Sequence, residues 1–423
     1  MKNFLYGTTA LVAASLLAGA AAQAAEPIKL SVGGHMKQWF GAVHNNNQTT
    51  NSNGTTTKPN DTGLNTDTMV TFSGTATTNS GITVGAVIKM DAIQNGNGAS
   101  GGAARNGVVD QEYATLASGI GTVRAGVVQS SNFDMHSSAP DVGIGASNIP
   151  YWLAVPTGMH TFHRVATGAT APGGQANWGG TSFRSLTSQT LPQAEYISPK
   201  LYGFSLGASF APSGGGATVG PNNTLTQQHN SWDVTLAYDG DIGPVKLGAD
   251  MGMAKSYAPK TPQATAASAL GGNNANFSYE AYNGGLKVGF AGFTLSGSYL
   301  RMMEPNVGDM NALANNTAAN LGPRLTGHSF DAGLSYGSGP WAVSGTYYEE
   351  THLGNMTPTD ANGAANARKN EKLSAYLVSG KYALGPGINL VSTGFYAEYK
   401  GKTLDPVTNT AGYGLVSGVH LVF

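Results

Sequence analysis

Few side chains in this sequence are spaced for covalent chemistry. His160 and His163 could offer two imidazoles to one metal, but two ligands do not make a site and both lie in a polar stretch, so no metal is expected. Gly96-Asn-Gly-Ala-Ser-Gly101 has the glycine spacing of a dinucleotide loop. No helical periodicity follows it, and with 60 glycines in the chain such spacing arises by composition. Ser, His and Asp are scattered without a Gly-x-Ser-x-Gly elbow, which leaves hydrolase chemistry unsupported. The chain has no cysteine, hence no thiolate ligand and no disulfide. The reading is therefore not an enzyme, with no catalytic residue and no cofactor. A net charge of -1 gives no basic footprint for nucleic acid. What remains is a group of aromatics, Tyr151, Trp152, Trp178 and Phe183. They would suit a track for sugars or aromatic solutes, or would simply anchor a loop by burial, and burial is the more general use.

The elements that position these residues are strands. Residues 1–24 read as a removable signal peptide: Lys2, an apolar run from Ala10 to Ala22, and a small-x-small site at Ala22-Gln23-Ala24. The run is too short to span a bilayer as a helix. The mature chain, 25–423, is 11% charged across the whole sequence, little for a soluble surface. An exported chain with no spanning helix crosses lipid only as a closed barrel, because only closure satisfies every backbone group.

The test is alternation, since barrel strands set one side chain on lipid and the next in water. Trp232, Val234, Leu236 and Tyr238 alternate with Ser231, Asp233, Thr235 and Asp239. After Gly240 to Pro244, the apolar set Val245, Leu247, Ala249 and Met251 alternates with Lys246, Gly248 and Asp250. The same dyad recurs at Phe330 to Tyr336 and at Trp341 to Tyr347. We expect an all-β fold, an antiparallel transmembrane barrel of sixteen strands. They begin near Ile28, Thr66, Ile82, Val109, Gly121, Leu191, Gly203, His229, Gly243, Phe277, Ala291, Gly327, Pro340, Glu371, Pro386 and Ala411. Short turns alternate with long polar loops, and Tyr238, Phe293, Tyr336 and Trp341 sit beside turns where interfacial girdles form.

Three stretches resemble the trimeric, sixteen-stranded general porins of Gram-negative bacteria. Glu195 to Phe210 is similar to that family's Tyr-x-Ser-Pro-x-x-x-Gly-Phe hairpin, Tyr113 to Gly126 to its fourth-to-fifth strand hairpin, and Phe423 to its C-terminal insertion signal. The resemblance implies a homotrimer in the bacterial outer membrane, bordered by lipid and lipopolysaccharide. It also implies that residues 131–190 form a third loop folded into the lumen as a constriction. Acidic and basic groups would then face each other across the passage: Asp134, Asp141, Arg164 and Arg184 on the loop, and Lys29, Lys37, Lys89 and Arg124 on the wall. The family pattern is only partly kept, since Val127 follows Gly126, Ile197 follows Tyr196, and no Pro-Glu-Phe-Gly motif occurs.

The expected function is a water-filled channel for passive diffusion of small hydrophilic solutes and ions. Lumen-parity Lys29, Lys37, Lys246 and Lys287 nearly balance Asp91, Asp233, Asp250 and Asp331. The alternatives are a substrate-selective channel for sugars or organic acids that uses the loop aromatics, a sealed adhesive barrel, and a soluble secreted β-protein.

Overall fold

The computed structural model describes residues 27–46, 49–50, 56–57, 60–93, 108–153, 180–183, 192–213, 229–257, 278–303, 327–353, 370–400 and 410–423. Sixteen antiparallel strands close into one barrel. In chain order they are β1 (Lys29–Asn45), β2 (Thr62–Thr77), β3 (Thr83–Ile93), β4 (Val108–Ser118), β5 (Gly121–Val127), β6 (Pro192–Ile197), β7 (Phe204–Ser213) and β8 (His229–Ile242). The second half is β9 (Val245–Tyr257), β10 (Ser278–Phe290), β11 (Phe293–Met303), β12 (Gly327–Ser338), β13 (Trp341–Leu353), β14 (Asn370–Gly385), β15 (Ile388–Lys400) and β16 (Thr410–Val422). Thr49–Thr50 and Thr56–Thr57 form a separate small ladder.

Closure comes from β1, which pairs with β2 on one side and β16 on the other. Lys37 sits opposite Asp67 in the first ladder and opposite His420 in the second. Phe423 completes the seal, donating its N–H to Gly34 O and accepting from Gly34 N at 2.8 Å. The closed barrel leaves no edge strand of its own for lipid to meet.

The dyad explains which face is which. On β13, Val343 is 52% exposed and its neighbour Ser344 only 5%. On β9, Met251 is 65% exposed and Asp250 7%. Apolar side chains thus cover the outside of the barrel and polar ones the inside. Near the short turns the outward aromatics pair up, Phe293 on Tyr336 with ring centroids 4.5 Å apart and Trp341 on Tyr382 at 4.3 Å. Tyr347 and Tyr376, toward the opposite rim, lie 4.7 Å apart. These are two girdles, one at each interface.

The strand starts follow the sequence expectation closely. The largest departure is β2, which begins at Thr62 rather than Thr66. Its first residues are polar and show no alternation, but Leu64 completes the ladder opposite Phe40. β9 and β11 start later than expected because Gly243 and Ala291 have positive φ, 59° and 50°, and belong to turns.

Candidate pore constriction

After β5 the chain leaves the wall. Gly126 is the hinge, with φ of 137°, a conformation that L side chains rarely adopt. A Cβ there would also overlap the Glu112 carbonyl across the ladder. The chain then forms a short helix, α1 (Ser131–Met135), and later one 3-10 turn at Ala146–Tyr151.

Between these the segment is stitched to the inner wall, strand after strand. The Ser131 backbone N–H donates to Ser209 Oγ on β7 at 2.6 Å, and its hydroxyl donates to Asp233 on β8 at 2.8 Å. Asn132 donates its backbone N–H to the same Asp233 oxygen and its amide to Thr235 and to Asn283 on β10. Asp250 on β9 accepts the Ser137 N–H at 2.7 Å, and its other oxygen lies 2.7 Å from His136 Nδ1. Ser296 on β11 donates to Ser138 O, and Asp331 on β12 accepts from Ala139 N–H at 2.9 Å. Thr346 and Ser344 on β13 hold Pro140 and Val142. Ser379 on β14 donates to Asp141, and Thr393 on β15 accepts from Ile144 N–H.

Residues 131–144 therefore run along the wall from β7 to β15. Each hydrogen bond is worth about 1 kcal/mol net, but leaving one of these buried donors unmade costs about 1–3 kcal/mol. The wall acceptors are consequently placed where a bare loop backbone needs them. Space for that backbone comes from small residues, since a Cβ on Gly285 would overlap the Ser137 carbonyl.

Two apolar clusters fix the segment's flanks. Ile149 and Leu153 are fully buried with Leu377, Phe395 and Tyr399 of the wall, and Trp152 packs against this group over Gly41. Phe183 is fully buried with Ala254, Leu300 and Met302. Its backbone N–H donates to Asn132, which ties 180–183 to α1.

Among the described residues, the expected charged residues do not form one opposed pair of rows. Asp134 and Arg124 meet directly, at 2.6 Å, and Arg124 also contacts Glu195 on β6 at 2.9 Å. Its guanidinium lies 5.9 Å from the Tyr113 ring centroid. Arg124 thus clamps the loop helix to the adjacent wall. Asp141 faces the wall too: its Oδ1 accepts from Gly143 N–H and Ser379, while Oδ2 is buried without a hydrogen bond among the described residues. Burial pushes its carboxyl above the usual carboxylate range, against the pull of those two hydrogen bonds.

Lys37, another expected wall cation, faces the loop across a recess. It pairs with Asp67 at 2.9 Å and lines this recess of about 340 Å³ together with Asp141, Tyr151 and Trp152. Lys89 faces the lumen beside Thr71 and Gln111 and forms no ion pair among the described residues. Lys29 belongs elsewhere. It lies at the short-turn end opposite Thr75, about 26 Å along the strand from Lys37 at the usual rise per residue. Arg164, Arg184 and Trp178 fall outside the described residues, as do His160, His163 and Gly96–Gly101.

The sequence reading missed His35, Asp67, Lys381 and His420. His35 lies 3.5 Å from Asp67 and its ring centroid is 6.0 Å from that of His420. It also treated Asp233, Asp250 and Asp331 as lumen charges, whereas they are acceptors for the loop. Their inward parity beside Ser and Thr, with no cation at the facing register positions, was the available signal.

A family model described as Gram-negative porin matches residues 7–404. The chain belongs to the Gram-negative porins. Like that family, the porin forms a channel of the bacterial outer membrane for passive diffusion, and its family and fold are those of a channel. No curated protein matches its sequence. Among solved structures it is similar to a loop-deletion form of OmpT, an outer-membrane protein of Vibrio cholerae. The TM-score is 0.56 with 9% identity, covering 94% of this chain and 99% of that one. The trimer form of OmpT gives 0.53 at 10% identity, with coverage of 94% and 100%. An anion-selective porin from Comamonas acidovorans gives 0.50 at 15%, with coverage of 94% and 100%.

Proposed function

We propose that residues 131–190 narrow this porin's lumen and that the narrowed passage prefers small anions. The observation that carries the proposal is the unequal use of charge inside the barrel. The inward carboxylates Asp233, Asp250 and Asp331 are spent on holding the loop, and Asp134 and Glu195 are matched to Arg124. Lys89, Lys287 and Lys381 face the lumen with no ion pair among the described residues. Of these named groups, the ammoniums are thus the ones left open to passing ions, and a ring of one sign selects the other. The similar porin from Comamonas acidovorans is anion-selective, which accords with the proposal. Reversal potential across a planar bilayer in a KCl gradient tests it. A chloride-preferring sign is expected, and a potassium-preferring sign overturns the proposal.

We further propose that residues 1–24 are removed on export and that the mature chain assembles as a homotrimer surrounded by outer-membrane lipid and lipopolysaccharide. Polar groups on the outer wall favour a protein neighbour there. Ser392 and Ser417 face outward and share a hydrogen bond of 2.7 Å, and Gln38 accepts from Thr66 at 2.7 Å close by. Such groups cost less against another protein wall than against hydrocarbon. Mass measurement of the mature chain, and migration of the unheated protein, check these two points.

A further inference from the structure

The recess between the loop and the closing strands holds more than a gap in the lumen. Three basic side chains from three strands line it, Lys37 of β1, Lys381 of β14 and His420 of β16. Across from them the loop contributes Tyr151 and Trp152, both half-buried. Trp152 lies over Gly41 so closely that a Cβ there would overlap the indole, so the ring is held flat against the wall. Of the carboxylates nearby, Asp67 is engaged through both oxygens and Asp141 through Oδ1, its Oδ2 being buried. Asp67 takes Lys37 and His35, and Asp141 takes the Gly143 N–H and the Ser379 hydroxyl. Lys381 has no ion pair among the described residues.

We propose that this recess is a binding subsite for a small carboxylate carrying a flat apolar body, such as an aromatic monocarboxylate. The carboxylate meets Lys381 with His420 beside it, and the body lies along Tyr151 and Trp152. A neutral sugar would use the rings but leave the ammonium unmatched. An inorganic anion would use the ammonium but leave the rings wet. Only a solute with both features satisfies both walls. The proposal deepens the anion preference argued above and rests on it.

Benzoate is the probe, with acetate as charge without ring and benzyl alcohol as ring without charge. In planar bilayers, benzoate should block current saturably, at concentrations where the two controls do not. Lys381→Gln should weaken the block about tenfold, the usual loss when one charge-assisted contact is removed. Lys372→Gln, on the outer wall and paired with Glu349, should leave it unchanged. Benzoate should also quench tryptophan fluorescence of the folded protein in detergent, a readout that needs no current. Block or quenching by benzoate no stronger than by the two controls overturns the proposal, as does a Lys381→Gln protein that binds benzoate normally. Quenching that survives in a protein with potassium-preferring currents would instead overturn the anion preference and leave the subsite standing.

Discussion

Gly285 and Ser137 touch without a side chain between them: the Ser137 carbonyl occupies the place where a Cβ on Gly285 would stand. The barrel wall is bare where the loop backbone crosses it. Gly285→Val should therefore push the loop off the wall, at an overpacking cost of about 1–3 kcal/mol. The barrel itself should still form, because the ladder partners of Gly285 are unchanged. Larger single-channel conductance than wild type is the expected reading.

Asp250 offers a second route to the same segment. It accepts from the Ser137 N–H and sits beside His136 Nδ1, both at 2.7 Å. Asp250→Ala strands the Ser137 N–H at a cost of about 1–3 kcal/mol. Asp250→Asn keeps one acceptor and should lose less. Limited proteolysis within 131–153 should rank the three proteins, with the alanine variant cut fastest.

Asp141 makes docking depend on pH. Burial raises its carboxyl pKa in the docked loop relative to the undocked one. The sign follows from linkage: the docked state binds the proton more tightly, so its advantage is full below the ordinary carboxylate pKa and is lost as pH rises through the raised value. Excursions to higher conductance in single-channel records should be rarer in acid than at neutral pH. Asp141→Asn should flatten that dependence.

Charge preference should move with the unpaired lysines. Replacing Lys89 and Lys381 together with Gln should shift the reversal potential toward potassium. Replacing Lys200, which pairs at the short-turn rim with Asp239, should not. An unmoved potential in the double variant would place the selecting charges elsewhere.

The strands were legible because a dyad is a local signal. Trp232 to Tyr238 states both its faces within one strand, and Val245 to Met253 repeats them across the turn. Even the closure was implied, since Phe423 ends an alternating run that needs a partner. The path of the loop was not legible in the same way. Ser131 finds Asp233 102 residues on, and Ile144 finds Thr393 249 residues on. Nothing in Ser131 to Ile144 marks which wall row it will meet. The part of the site that the sequence did not show, Lys381 and His420 beside Lys37, depends on register between β14, β15, β16 and β1 and so on the finished barrel. Arg124 and Asp134 were both named from sequence, but as opponents across a passage; their separation of 2.6 Å makes them a clamp.

The pairing of Gly34 with Phe423 also sets an order of events. The first strand cannot be sealed until Phe423 has been made, long after Gly34. The loop is subject to the same delay, because its acceptors on β7 to β15 are all made after it. Contacts of such long range fold slowly. Until they form, a wall of exposed Leu, Val and Phe has no sheet to hold it and is open to aggregation. Sealing β1 against β16 through Gly34 and Phe423 is thus the step that ends this exposure.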